Sequence, residues 1–214
     1  MEKSLALFQK IVDQLLKDEK ENPMADHIPA DKLFDHLDLS LDNEPIDDER
    51  FQKALTELVM KTPRTATNAF FNQLFGGRNE KAILGDLLAV MLNNSMYTYK
   101  AAGPQVGVEK AILREICNMI GWDENADGTI ATGGSMTNFM SMLMARDAFN
   151  EKIRFEGAKA KMTVYTSKES HYSIPKNAAF SGIGRDNVRF IPTNKVGEMD
   201  AELLAGTIAA DKAN

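Results

Sequence analysis

Near the N-terminus apolar residues recur at helical spacing: Leu5, Leu7, Phe8, Ile11, Val12, Leu15 and Leu16 line one side of a helix. The opposite side mixes Asp13, Asp18, Glu19 and Glu21 with lysines. A helix lying on lipid favours Lys and Arg there, so this one is expected to pack on protein, a second subunit included. Over residues 22–50 the period is lost, and Pro23, Pro29 and Pro45 interrupt an acidic stretch that reads as a loose connector. Helical spacing returns over about 48–60 and again from Glu80 to Leu92. In the latter, Ile83, Leu84, Leu87, Leu88, Met91 and Leu92 mark one face expected to be buried. A further helix is predicted over about 105–120, with Val108, Ile112, Ile116 and Met119 inside and Gly121 placed to cap its end.

Beyond Asp127 the rhythm changes. Short β-like runs at Thr129–Thr132, Met162–Thr166 and Asn187–Ile191 alternate with a helical segment at about 136–155, a loop and helix at about 167–182 and a final helix from Asp200 to about 210. Pro175 suits a first helical turn, where its missing N–H costs nothing, and Asp200 suits an N-cap. Strand and helix in alternation, with crossovers this long, predict an α/β fold whose parallel sheet sets consecutive strands side by side. A helical first half thus precedes an α/β second half, with no internal repeat. Three strands make a narrow parallel sheet, which needs cover on both faces, so the expectation is the front portion of something larger.

At 214 residues the chain suits one large domain or one and a half. Lys plus Arg number 25 against 31 Asp plus Glu, a net charge of −6 that argues against a nucleic-acid partner. Apolar residues at 43% and charged residues at 26% exclude a disordered or low-complexity chain. The N-terminus lacks the pattern of a signal peptide, and no apolar run of membrane-spanning length is present, so no membrane partner is expected. The single cysteine, Cys117, excludes an internal disulfide framework and points to core packing; a cytoplasmic location is expected. No metal-loop spacing is present, and no metal is expected.

Three stretches carry candidate chemistry. In Thr132-Gly133-Gly134-Ser135-Met136-Thr137-Asn138 two glycines lie between a strand and a helix. Glycines let backbone approach a ligand closely, and a helix N-terminus offers free N–H groups and a positive dipole end, which together suit a phosphate. On the residues alone, a plain tight turn with Ser135 as N-cap competes with that anion site. Neither a P-loop nor a dinucleotide fingerprint is present. The second stretch, Ser167-Lys168-Glu169-Ser170-His171-Tyr172-Ser173, puts a lone histidine at the carboxyl end of a strand, where open α/β sheets bind ligands. A structural histidine is the competing reading. The third, Asn68-Ala69-Phe70-Phe71-Asn72-Gln73-Leu74-Phe75-Gly76-Gly77, mixes aromatics and amides as a pocket wall does. The run from Asn94 through Tyr97 to Lys100 has a similar mixture, and for both stretches the residues alone favour ordinary core aromatics with loop amides.

Taken in order, FFNQLFGG, NNSMYTYKAAGPQ, DGTIATGGSMTNFMSMLMARDAF and VYTSKESHYSIPKNAAFSGIGRDNV resemble the group II pyridoxal-5′-phosphate-dependent amino-acid decarboxylases. The branch resembled is that of glutamate, cysteine-sulfinate and aspartate decarboxylases, and the likeness runs from about residue 65 to 205. It implies a fold-type I architecture: residues 1–60 as a helical segment packed in a homodimer, and 61–214 as the first part of the large cofactor-binding α/β domain. The resemblance gives the amides around Gly134 and Ser135 to the cofactor phosphate. It stacks His171 on the pyridine ring near the departing carbon dioxide, and makes Gln73 a substrate contact. It sets Tyr97 in a wall supplied across the dimer interface.

Two departures matter. Glutamate-specific members tend to carry a small hydroxyl residue after the Gln-Leu pair, and here Phe75 stands there. A bulkier wall shortens the pocket, so aspartate or cysteine sulfinate is expected over glutamate. The family's Schiff-base lysine follows a histidine, and no His-Lys pair occurs in the sequence. Neither Lys168 nor Lys176 takes that role. The family's aspartate for the pyridinium nitrogen is missing as well. The expectation is the N-terminal portion of a cytoplasmic pyridoxal-phosphate-dependent carboxy-lyase for an acidic amino acid, inactive alone. A non-catalytic regulatory or dimerising relative of the same scaffold is the alternative.

Overall fold

The computed structural model describes residues 1–22, 24, 27–41 and 43–213. Pro23 and the acidic Asp42 of the predicted connector lie outside the described residues. The chain divides into two compact units, Met1–Ala101 and Ala102–Asn214.

The first unit is helical: α1 (Glu2–Glu21), α2 (Asp48–Lys61) and α3 (Glu80–Leu92). As expected, α1 packs on protein; it lies against α2, and its Ile11 is buried. The Asp47 side chain starts α2 by accepting the Arg50 N–H at 2.7 Å, and Asn79 caps α3 in the same way through Lys81 and Ala82. Two ion pairs tie the segment after α2 to α1, Arg64 with Asp18 and Arg78 with Glu19. Arg64 is buried, and its second contact is the Met60 carbonyl at 3.0 Å. A buried guanidinium is tolerated only when so paired.

The second unit holds α4 (Gln105–Met119), α5 (Gly134–Phe149), β1 (Val164–Ser167), α6 (Ser173–Phe180), β2 (Val188–Ile191) and α7 (Ala201–Ala213). Strands β1 and β2 are parallel, running in register from Val164 opposite Val188 to Ser167 opposite Ile191, with α6 as the crossover. Ala178, Ile183 and Val188 form the core, with Met142, Met162 and Val164 packed against it. Asp200 caps α7 as expected, its Oδ1 accepting from Glu202 and Leu203. Gly121, at φ +80°, ends α4: its N–H reaches Asn118 and that of Trp122 reaches Cys117, so two end carbonyls are satisfied. Behind the sheet, Arg189 and the Tyr165 hydroxyl both donate to Asp211 of α7. The guanidinium, then the phenol, hold the Asp211 carboxyl below its usual range. Desolvation, then the same carboxylate, push the Tyr165 hydroxyl up.

Four expectations are corrected. The run Thr129–Thr132 joins no ladder among the described residues, and Ile130 is exposed. Its alternation marks a segment suited to a pleated surface, but a strand exists only where a neighbour supplies hydrogen bonds. Strand β1 therefore does not lie beside it; its partner is β2. The helix expected over 136–155 stops at Phe149, and the Asn150 side chain accepts the Lys152 N–H at 3.1 Å to form a local turn before one further turn at Ile153–Glu156. The faces expected to be buried on α3 and α4 are exposed, Leu84 at 59% and Val108 at 59%. On α4 the half-buried stripe is instead Val106, Leu113 and Cys117, of which only Cys117 is fully covered. Periodicity identifies a surface able to be buried, and both helices carry more apolar surface than their own unit covers. Among the described residues no helix is long and apolar enough to cross a membrane.

Candidate functional site

The segment after β1 is pinned at the carboxyl end of the sheet. Ser167 N–H donates to Ser170 Oγ at 3.2 Å, the two hydroxyls lie 2.9 Å apart, and Lys168 N–H reaches the Ile191 carbonyl at 3.2 Å. This is the end at which open α/β sheets take ligands. His171 follows, exposed, with its ring 4.3 Å from that of Tyr172. Its Nδ1 accepts the Ser173 N–H at 3.2 Å and lies 2.9 Å from Ser173 Oγ.

Ser173 opens α6 and is wholly buried. Its hydroxyl accepts from the Asn138 side-chain amide at 2.9 Å, and Asn138 stands in the first turns of α5. One turn along α6, Asn177, 3% exposed, donates to the Ser135 carbonyl at 2.9 Å. Two amides, one from each helix, thus join the histidine segment to the glycine turn.

At that turn Gly133 has φ +149° and ψ 163°, a conformation essentially restricted to glycine. Its carbonyl accepts from Met136 and Thr137 at 3.0 and 3.2 Å, closing the first turn of α5. Ser135 is not the N-cap; Gly133 holds that position, with no side chain capping the helix. Among the described residues no acceptor meets the amides of Gly134 and Ser135, which are exposed. Open space surrounds both glycines, since a Cβ on either would touch nothing within 4 Å. Free amides at a positive helix end, with room before them, suit a dianionic phosphate.

The site is an open surface. A groove of about 780 Å³ bordered by α5, β1 and α7 includes Asn138 but none of Gly134, Ser135 or His171. Gln73, Phe75 and Tyr97 belong to the first unit. Phe75 meets Phe70 edge-on at 5.5 Å and lines a cavity of about 520 Å³ with Leu15, Val59, Arg64 and Arg78. Gln73 is exposed in the same loop, whereas Tyr97 lies beyond α3, exposed, with its N–H on Ser95 Oγ. The structure therefore brings Gly134, Ser135 and His171 together, and Gln73 with Phe75.

Asn138, Ser173 and Asn177 were not legible as site residues. Each looks like an ordinary polar helix residue, and the available signal was spacing: Asn138 falls three residues after Ser135, and Asn177 four after Ser173. Cys117 is buried, as expected for core packing. Among the described residues no three His, Cys, Asp or Glu side chains converge on a metal site.

Comparison with known proteins fits this geometry. The family model described as the pyridoxal-dependent decarboxylase conserved domain matches residues 31–214. Cysteine sulfinic acid decarboxylase of Rattus norvegicus is 34% identical over 185 residues, 86% of this chain and 37% of that protein. Acidic amino acid decarboxylase GADL1 of Xenopus tropicalis is 32% identical over 178 residues, 82% of this chain and 35% of that protein. The crystal structure of mouse CSAD matches with a TM-score of 0.90 at 30% identity, over 98% of this chain and 45% of that one. The chain thus spans less than half the length of these relatives. Its architecture is the fold-type I arrangement, a helical N-terminal segment followed by the first part of the parallel-sheet domain. By the domain matched over most of its length, the chain belongs to the pyridoxal-dependent decarboxylase family.

Proposed function

We propose that the protein containing this chain is a carboxy-lyase that uses pyridoxal 5′-phosphate to remove the α-carboxylate of a small acidic amino acid. The observation that carries this reading is the junction of the free-amide glycine turn with His171 through Asn138 and Ser173. The amides of Gly134 and Ser135 bind the phosphate, and the positive end of α5 favours its charge. The His171 ring, set against α5 by the same junction, covers the pyridine face and orients the carboxylate that leaves. When bound, pyridoxal phosphate supplies the electron sink for the pair released as that carboxylate departs. No lysine among the 214 residues follows a histidine. Gly134, Ser135 and His171 are proposed for binding and orientation, and none of the chain's lysines is assigned to hold the cofactor. Absorbance of the full-length protein with pyridoxal phosphate, before and after borohydride, tests the assignment; loss of the visible band on reduction is expected, and its absence throughout refutes it.

For the substrate, Gln73 is the contact and Phe75 the wall that shortens the pocket, with Tyr97 contributed across a homodimer. Aspartate or cysteine sulfinate is then preferred to glutamate. The names of the relatives, cysteine sulfinic acid and acidic amino acid decarboxylases, support an acidic substrate. One methylene is worth about 1–3 kcal/mol in a pocket, so some overlap is expected. Turnover of the full-length enzyme on the three acids decides it, and a clear preference for glutamate overturns the reading. A cytoplasmic homodimer, with α1 against the second copy, completes the proposal and is checked by sedimentation.

A further inference from the structure

The hydrogen bonds around His171 define where its proton sits. A backbone N–H can only donate, so the ring nitrogen facing the Ser173 N–H at 3.2 Å must present a lone pair. In the neutral ring the proton is then on Nε2. The neighbouring hydroxyl agrees. Ser173 Oγ receives the Asn138 amide at 2.9 Å, which leaves its own hydrogen to point at Nδ1, also 2.9 Å away. Ser173 is wholly buried, so water offers that hydroxyl no alternative partner. The Asn177 amide on the Ser135 carbonyl fixes α6 against the start of α5 and keeps Asn138 and Ser173 in reach of each other.

We propose that Asn138 and Ser173 are positioning residues that hold Nδ1 of His171 as an acceptor, so that the ring meets whatever occupies the glycine-turn site with Nε2–H as its donor. The consequence for the proposed reaction, on whose reading of His171 this partly rests, is directional. Any hydrogen bond or proton that the ring gives to a bound group leaves from Nε2, while Nδ1 is occupied from behind. Ser173 lies two residues from the histidine, its hydroxyl 2.9 Å from Nδ1; its effect runs through the ring.

Long-range ¹H–¹⁵N correlation spectra of the ¹⁵N-labelled full chain, recorded without cofactor, read the tautomer directly. His171→Gln assigns the His171 signals. The wild-type chain is expected to show His171 protonated on Nε2 and unprotonated on Nδ1. A proton on Nδ1, or an equal mixture, overturns the proposal without any variant having to fold. Ser173→Ala removes the hydroxyl donor and should move the Nδ1 resonance downfield, with Asn138→Ala giving a smaller shift in the same direction. His27 and His36 serve as internal references and should stay put. An unchanged Nδ1 resonance in both variants removes Asn138 and Ser173 from the role. Adding pyridoxal phosphate afterwards separates the two readings: His171 signals that ignore a bound cofactor overturn the ring-covering role and leave the tautomer assignment standing.

Discussion

Replacing Gly133 with alanine probes the turn to which the proposal assigns phosphate binding. At φ +149° and ψ 163° an L-residue pays backbone strain of order 1–3 kcal/mol. The added methyl itself meets nothing within 4 Å, so no steric clash contributes. The strain is relieved if the turn opens, which breaks the bonds from Met136 and Thr137 to the Gly133 carbonyl. Amide hydrogen exchange at Met136 and Thr137 reports that opening locally. Since about 1.4 kcal/mol is a factor of ten, exchange should accelerate about 5- to 140-fold. Gly134→Ala is the matched control. Gly134 already sits in the helix, its Cβ position is equally open, and alanine is preferred to glycine there by up to about 1 kcal/mol. Exchange at the same amides should then be unchanged or slower. Equal behaviour of the two variants, or exchange in Gly133→Ala within twofold of wild type, refutes the claim that this turn requires glycine at its first position.

Acid should loosen the contact behind the sheet. The Asp211 pKa is lowered by Arg189 and Tyr165, so the stability it gives is present above the ordinary carboxylate range, near pH 4, and fades as pH falls through its own lower value. Unfolding midpoints of the chain against pH should lose part of their acid limb in Asp211→Asn, and an identical profile rejects the assignment. The Tyr165 pKa is raised, so its contribution is full below the ordinary phenol value near 10 and is lost as pH rises through the higher one; Tyr165→Phe should flatten the alkaline limb. Ile191, 2% exposed at the end of β2, should cost about 2–5 kcal/mol when cut to alanine, read by urea unfolding; less than 1 kcal/mol means that the strand end is not packed as described. In the full-length enzyme, Phe75→Ser should raise kcat/KM for glutamate relative to aspartate about 10- to 200-fold, and an unchanged ratio removes Phe75 from substrate selection.

Local chemistry was readable along the chain. Alternation and helical period located β1, β2 and the helices after Asp47, Asn79 and Asp200, because caps and apolar spacing act within one or two turns. The glycine turn and His171 stood out for the same reason: an unusual backbone need and a titratable side chain at a strand end are properties of short segments. Burial was not readable in the same way. The apolar faces of α3 and α4 are as regular as any core helix, yet lie open, since periodicity names a surface and only a neighbour can cover it. The run at Thr129–Thr132 has strand character without a strand for a related reason, since a ladder is a property of two segments.

The same distinction governs the site. Short motifs singled out the glycine turn and His171, and the resemblance of the motifs taken in order pointed to the family. What required three dimensions was the pair of crossed amides, Asn138 to Ser173 and Asn177 to Ser135, which make one site of two segments 35 or more residues apart. Hydrogen-bond partners at that separation leave no periodic trace, because the chain between them is free to vary while the packing of α5 on α6 alone brings them within 3 Å.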